Sequence, residues 1–289
     1  MSLAGGDLTT LPMAQSYLDS PPSATVLVPL ITRSSRVILS YLNRSMIYPR
    51  AVTQQFNGQG TRALVLPVWP VIGSTLTSLV ISGVTVPIAP QISNTATSPN
   101  VGFGYRFQPW SGAPPGDVAV VELVGYYYLN GNQNIVVSYN AGYQVTGEVP
   151  TEVNYTPLQP YGTWATDQGV TYTNSGVALV AVNNSSPGPG EYVVPNPETS
   201  LTYNYIFNSA DVAAGLLINY GYIPSDLEQA CLDYIGERAS YRKRIGMRSQ
   251  GLAGQETFSY DVMSSIPPYI RAMLQPYVTV ISPNIGADT

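Results

Sequence analysis

The chain has 289 residues, enough for one large domain or two ordinary ones, but only 10% are charged, whereas there are 26 Gly, 25 Pro and 22 Tyr residues. This composition predicts strands joined by turns and does not indicate disorder, because disordered chains lack so many aromatic and aliphatic residues. The absence of His removes imidazole catalysis and His metal ligands, the single Cys excludes an internal disulfide, and a net charge of -5 argues against sequence-independent DNA wrapping.

Two helices are predicted at the start of the chain. The first covers Leu8 to Leu18, where Thr10 can cap the helix. The second runs from about residue 22 to Asn43, with apolar residues at helical period and a proline, Pro29, inside the pattern that predicts a kink. Two amphipathic helices with a short link must bury their apolar faces against a third element.

After residue 49 the apolar pattern becomes alternating, which predicts β-hairpins. The turn NGQGT separates the strands 51–56 and 63–66, Ser-Gly separates 76–81 from 84–88, and Asn-Gly-Asn separates 118–129 from 134–139. Residues 89–117, rich in Pro, Ser, Asn and Gly, are predicted to form a long surface loop.

Residues 144–222 are predicted to be an inserted module. The stretches QNIVVSYNAGY and AAGLLINYGY both end in an aromatic-Gly-Tyr signature on either side of it, although chance can also produce so short a match. Alternating segments inside the module, with the turn PGPG at 187–190, indicate a small β-sandwich or barrel.

The longest helical pattern lies between Ile223 and Arg248. Acidic residues occupy its first turn, a Pro precedes it, and one face is apolar. Its end carries five of the twelve basic residues, namely Arg238, Arg242, Lys243, Arg244 and Arg248. No Lys or Arg occurs between Arg106 and Arg238, an interval that contains twelve Asp and Glu residues from Asp117 to Glu237. This polarity is typical of a subunit with two different neighbours.

A Gly- and Ser-rich link follows, then a short helix near 265–276 and a tail. Together these elements predict an α+β fold. Its core, residues 1–143 and 223–277, is a helical bundle of two N-terminal helices and a long C-terminal helix, with antiparallel hairpins. The inserted β-sandwich or barrel (144–222) and an extended C-terminal tail (278–289) complete the prediction.

The order of several segments resembles the head-tail connector, or adaptor, proteins of tailed bacteriophages. The segments are LTTLPMAQSYL, LITRSSRVILSYLNRSM, FNGQGTRALVLPVWPV, NIVVSYNAGY, PSDLEQACLDYIGERASYRKRIGMRSQGLAGQETFSYD and IPPYIRAMLQPY. They cover residues 8–88, 118–143 and 223–277. The module 144–222 is longer than a compact adaptor has, so what it contacts stays open.

The resemblance implies a structural protein of the virion neck with no enzymatic activity. The single Cys fits assembly in the reducing cytoplasm of a host, the absence of His and of a second Cys predicts no cofactor or metal, and without an 18-residue apolar run no membrane contact is expected. Copies, commonly twelve, would form a ring beneath the portal protein, continue the DNA channel without reading sequence, and offer a surface to a neck or tail protein such as a stopper or tail terminator. The tail, through Val278, Thr279, Val280 and Ile281, would reach the portal by strand addition. The basic helix end would line the channel, pair with the next subunit, or remain solvated.

Two other functions remain open. A glycan- or surface-binding virion module would use Trp110, Trp164 and Tyr161 as stacking residues, although such aromatic residues more often serve cores and subunit contacts. A carboxylate-dependent hydrolase would draw on Glu122, Glu148, Glu152 or Asp167, but glycosidases need two carboxyl groups at a defined separation that a sequence does not show.

Overall fold

The fold is described from a computed structural model of the chain. It describes residues 6–73, 75–89, 103–107, 114–198, 201–243, 249–252, 256–259 and 266–279, without the side chains of residues 242–243, 249–252 and 256–259. These residues form two compact units. The first contains the described parts of Met1–Ser45 and Thr146–Val278, and the second contains those of Met46–Val145 and Thr279–Thr289.

The second unit is built from two antiparallel sheets. Their strands are β1 (Arg50–Gly58), β2 (Ala63–Val65), β3 (Val71–Ile72), β4 (Ser78–Ile81), β5 (Val84–Thr85), β6 (Gly104–Phe107), β7 (Val120–Val124) and β8 (Gly131–Ala141). One sheet has the order β1-β8-β4-β5, with β3 also paired to β8, and the other has the order β2-β7-β6. Side chains from both sheets, including Phe56, Leu64, Val121 and Tyr139, form one buried core.

The first unit contains the remaining strands. They are β9 (Gln144–Glu148), β10 (Asn154–Tyr155), β11 (Gly162–Tyr172), β12 (Val180–Val182), β13 (Glu191–Val193), β14 (Tyr205–Phe207), β15 (Leu216–Pro224), β16 (Ser249–Leu252) and β17 (Glu256–Ser259). The sheet orders are β11-β15-β9, β10-β14-β13-β12 and β16-β17, and β12 and β13 run parallel. Strand β15 is buried along almost its whole length, so it lies at the centre of this unit.

Helices in the first unit pack around a central helix. They are α1 (Leu11–Tyr17), α2 (Ala24–Tyr41), α3 (Ser209–Ala214), α4 (Ser225–Lys243) and α5 (Pro268–Leu274), followed by a 3-10 helix (Gln275–Tyr277). Helix α4 contacts α1, α2, α5, β11 and β15. Its apolar face, including Leu227, Cys231 and Ile235, is fully buried, which agrees with the spacing in the sequence.

Local sequence explains several helix ends. The Oγ1 atom of Thr10 caps α1 by accepting a hydrogen bond of 3.2 Å from the backbone N of Met13, as expected. Pro29 lies inside α2, which continues to Tyr41. Among the described residues, no helix is both long enough and apolar enough to cross a membrane.

The predicted fold class is wrong. The part of the chain that the structure describes has seventeen strands against five α-helices, three of them of seven residues or fewer. It is therefore mostly β, and its core is not a helical bundle with a long C-terminal helix. The error arose because apolar residues of α1, α2 and α4 recur at helical spacing, whereas most strands of the fold are too short for a period to be read from them.

Two of the three predicted hairpins are also wrong. Strands β1 and β2, on either side of NGQGT, pair with β8 and β7 respectively and not with each other, and β7 and β8 do not pair. The hairpin β4-β5 is confirmed, with Ser82 and Gly83 both at positive φ in the turn. Long-range pairing overrode local turn signals in the other two cases.

The compact units differ from the predicted domains. One boundary, between Val145 and Thr146, lies close to the predicted start of the inserted module. No unit boundary lies near residue 222, because β15 runs through this position to Pro224 and α4 begins at the next residue. The module and α4 are thus parts of one unit.

Candidate functional site

Three carboxylates of the first unit, Asp167, Glu148 and Glu228, are held by neutral hydroxyl and amide donors. The sequence offers few cations for them, since no Lys or Arg lies between Arg106 and Arg238. A buried carboxylate must still receive hydrogen bonds, because burial without them is costly. The chain meets this need mainly with tyrosine, which explains part of its unusual tyrosine content.

The best-formed example surrounds Asp167 on β11. Its two carboxylate oxygens accept hydrogen bonds from the Tyr192 hydroxyl at 2.6 Å and the Tyr205 hydroxyl at 2.9 Å. The Tyr205 oxygen in turn accepts a hydrogen bond of 3.1 Å from Nε1 of Trp164. Burial, with Asp167 adding to it, raises the pKa of both tyrosines, so they stay protonated donors.

A second cluster surrounds Glu148 on β9. The hydroxyls of Tyr220 and Tyr155 donate to it at 2.8 and 3.0 Å, and the backbone N of Leu158 donates at 2.8 Å. Burial, together with Glu148, raises the pKa of Tyr155 to about 12. Glu148 therefore ties β9 to β15 and to the segment around β10.

A third carboxylate, Glu228, is buried on α4. It accepts hydrogen bonds from Oγ1 of Thr9 at 3.2 Å and from Oγ1 of Thr163. Burial raises the pKa of Glu228 above its usual range. One turn further along α4, Cys231 is fully buried beside Oγ of Ser35 at 3.6 Å, and burial raises its thiol pKa to about 12. This thiol is structural and not a nucleophile.

The carboxylates named as catalytic candidates differ in their hydrogen bonds and in their exposure. Glu148 and Asp167 each receive at least two hydrogen bonds from neighbouring groups, whereas Glu122 and Glu152 are exposed. Among the described residues there is also no group of three or more metal-ligating side chains that could hold an ion. The hydrogen bonds to Glu148 and Asp167 join neighbouring strands of the first unit into one framework.

The basic residues predicted at the end of α4 are only partly described. The guanidinium of Arg238 lies 5.1 Å from the ring centre of Tyr234 and donates to its hydroxyl at 2.8 and 3.1 Å. Arg242 and Lys243 belong to the last turn of α4, without described side chains, and Arg244 and Arg248 lie outside the described residues. Arg238 is thus engaged within its own helix.

The predicted portal-docking tail is described only at its start. Val278 follows the 3-10 helix and its backbone N donates to the Gln275 carbonyl at 3.3 Å, while Thr279 is buried. Val280 and Ile281 lie outside the described residues. Strand addition by this tail therefore stays a prediction.

Two of the aromatic residues proposed for glycan stacking can be placed. Trp164 is 0% exposed, so its assignment as a stacking residue is wrong; it packs against Tyr203 and Tyr205 in the core. Tyr161 is 39% exposed and contacts the ring of Tyr222, and Trp110 lies outside the described residues.

Exposed aromatic rings also lie on the second unit. Phe103 and Tyr126 have ring centres 5.0 Å apart, and the Arg62 guanidinium lies 4.7 Å from the ring centre of Tyr127 and donates to its hydroxyl at 2.8 Å. Gly125 permits this packing, because a Cβ there would lie 2.6 Å from the Phe103 ring. The aromatic density around 103–107 and 126–128 was the available sequence signal.

A groove on the first unit was not predicted. It has a volume of about 320 Å³ and lies where α1, α4 and α5 meet. The lining residues are Tyr17, Asp233, Gly236, Glu237, Ser240 and Tyr269. Those on α4 recur at spacings of three and four, so they share one helix face. That spacing is the signal in the sequence, and it lies on a different face of α4 from the apolar residues.

No family model matches this chain, and a search of the curated proteins finds no match either.

Proposed function

We propose that this chain is a non-enzymatic structural subunit of a tailed-phage neck, where identical copies form a ring that joins the portal to the tail and continues the DNA channel. The order of segments that resembles head-tail connectors supports the proposal. The main structural observation in its favour is that large apolar side chains are exposed on both units of a chain with few charged residues.

The exposed apolar residues occur on regular elements and not only on loops. On the second unit, Val65 of β2 lies directly opposite Val120 of β7, and the two are 38% and 42% exposed. On the first unit, Val28 and Val37 are exposed on α2. Surfaces of this kind on ordered strands and helices are typical of protein-protein interfaces.

The charge distribution supports passage of DNA rather than its capture. Twelve Lys and Arg residues in 289 give little phosphate-binding capacity, and the basic run at the end of α4 is the main concentration of positive charge. DNA would pass without sequence-specific contacts, and the partners would be other copies, the portal protein and a neck or tail protein.

The test is electron microscopy of the full chain mixed with the portal protein encoded in the same genome. We expect the chain alone to be a monomer or weak oligomer and to form a ring, commonly of twelve copies, on the portal. A chain that binds no portal and leaves tailed particles unaffected when its gene is deleted would refute the proposal. Particles without it should instead lose DNA and lack tails.

A second candidate is a surface-binding virion module, and the exposed Phe103, Tyr126 and Tyr127 rings favour it. Flat aromatic surfaces stack on sugar rings and on other proteins alike. Glycan-array binding that is lost in Tyr126→Ala and Tyr127→Ala would support this candidate. No binding by the intact chain at millimolar glycan would remove it.

A further inference from the structure

The groove between α1, α4 and α5 combines negative charge with exposed aromatic rings. Tyr17 and Tyr269 are 42% and 50% exposed, and Asp233 and Glu237 lie on the α4 side. No Lys or Arg is among the lining residues. A cation enclosed by tyrosine rings and carboxylates is stabilised by both cation-π attraction and ion pairing.

Asp233 is fixed in place as an acceptor. Its Oδ1 accepts hydrogen bonds from the Tyr17 hydroxyl and from Nε2 of Gln229 at 2.8 Å. Gln229 also donates to the Tyr17 oxygen at 2.9 Å, which closes a three-membered network. Within the described part of the chain, no group donates a hydrogen bond to Oδ2 of Asp233. This oxygen therefore retains its capacity to accept one from an incoming cation.

The two carboxylates of the groove, Asp233 and Glu237, act on its tyrosines. The hydrogen bond to Asp233 raises the pKa of the Tyr17 hydroxyl, with burial adding to the shift. Burial raises the pKa of Tyr269, and the charges of Glu237 and Asp233 add to that shift. Two tyrosines on different helices thus experience the same negative charge, which favours a positive guest.

The chain itself carries the complementary charge in the run Arg242, Lys243, Arg244 and Arg248. Lys243 cannot meet Asp233 of its own chain, because ten residues of α-helix at about 1.5 Å each place them roughly 15 Å apart along the axis. A Lys243 ammonium at this carboxylate must come from a second copy.

We propose that the groove of one copy receives the basic run of the next copy, with Lys243 beside Asp233, in a head-to-tail contact. This inference rests on the proposed ring and identifies one of its subunit contacts. The donor and acceptor surfaces are different, so the contact is heterologous, and a repeated heterologous contact closes into a ring when its rotation permits.

Carbodiimide cross-linking offers a direct test, because Lys243 is the only lysine in the sequence. Equal amounts of ¹⁵N-labelled and unlabelled full chain are mixed and assembled on the portal protein. The carbodiimide then joins Lys243 to nearby carboxylates. We expect mixed-isotope peptides that link Lys243 to Asp233 or Glu237. Links found only between peptides of the same isotope, or mixed links only to other carboxylates, would overturn the proposal.

Charge exchange supplies a test that does not depend on one variant folding well. Asp233→Lys destroys the acceptor, and the combined variant with Arg242→Glu, Lys243→Glu and Arg244→Glu destroys the donor. We expect each alone to weaken self-association by about tenfold or more, and an equal mixture to recover it, because alternating copies pair opposite charges at every contact.

The control is Glu152→Lys, which reverses an exposed carboxylate outside the groove and should leave association unchanged. Mass photometry of each protein on the portal gives the readout. If wild type and all variants form rings equally, the groove contact is refuted while the proposed ring stands. If the wild type forms no ring on the portal, the proposed function itself is refuted.

Discussion

The hydroxyl of Tyr205 should stabilise the first unit more than the hydroxyl of Tyr192, although both donate to Asp167. Replacing either tyrosine by Phe keeps the ring and removes one hydrogen bond to a carboxylate, which costs about 1.5–3 kcal/mol. Tyr205→Phe also leaves the buried Nε1 of Trp164 without its acceptor, which adds about 1–3 kcal/mol. We therefore expect a total of about 2.5–6 kcal/mol for Tyr205→Phe.

Differential scanning calorimetry measures this difference. For a unit of this size each kcal/mol lowers the midpoint by about 2–4 °C, so the Tyr192→Phe midpoint should fall by about 3–12 °C and the Tyr205→Phe midpoint by several degrees more. The matched control is Tyr126→Phe, which alters a half-exposed ring and should change stability by less than about 0.5 kcal/mol. If Tyr192→Phe costs as much as Tyr205→Phe, or if both behave like the control, the reasoning is refuted.

Three further predictions concern the buried carboxylate, the thiol and the tail. The pKa of Glu228 is higher in the folded state than its unfolded value of about 4.5, so ionisation of this carboxyl lowers the stability of the wild type as pH rises from the unfolded to the folded pKa. The stability of Glu228→Gln relative to wild type should therefore increase from pH 4.5 upwards. A difference between their melting midpoints that does not change with pH would contradict this. Cys231, fully buried with a thiol pKa of about 12, should react with Ellman's reagent only after unfolding in guanidinium, and rapid reaction of the native chain would show that the thiol is accessible. Deleting residues 280–289, while keeping Val278 and Thr279, should abolish portal binding in pull-down assays without lowering the melting midpoint, and full affinity would exclude strand addition by this tail.

Sequence patterns were reliable where a single element determines its own structure. The helices α1, α2 and α4 follow from apolar spacing and, for α1, from a capping threonine, and the hairpin β4-β5 follows from Ser82-Gly83. These features depend on residues within a few positions of each other, so local rules describe them.

Long-range pairing was not readable from the same patterns. Strand β8 pairs with β1, β3 and β4, and each paired residue of these strands lies 54 or more positions before its partner in β8. Strand β15 likewise pairs with the distant strand β11. The turn residues of NGQGT favour a local hairpin, but they carry no information about which distant strand pairs with β1 or β2. The result was a fold class with too much weight on helices.

The candidate sites show the same limit. The sequence revealed the basic run at the end of α4 and the lack of Lys and Arg in the centre of the chain. It did not reveal that tyrosine hydroxyls donate hydrogen bonds to the carboxylates there. Neither the two hydroxyls at Asp167 nor the meeting of Tyr17, Asp233 and Tyr269 follows from spacing, because each joins elements far apart in the chain.

Cryo-electron microscopy of assembled phage particles tests the central claim most directly. The account predicts a symmetric ring of this chain between portal and tail, around the DNA channel, with the α4 basic run of each copy against the Asp233 groove of its neighbour. A complete neck built from other proteins, with this chain absent, would contradict it.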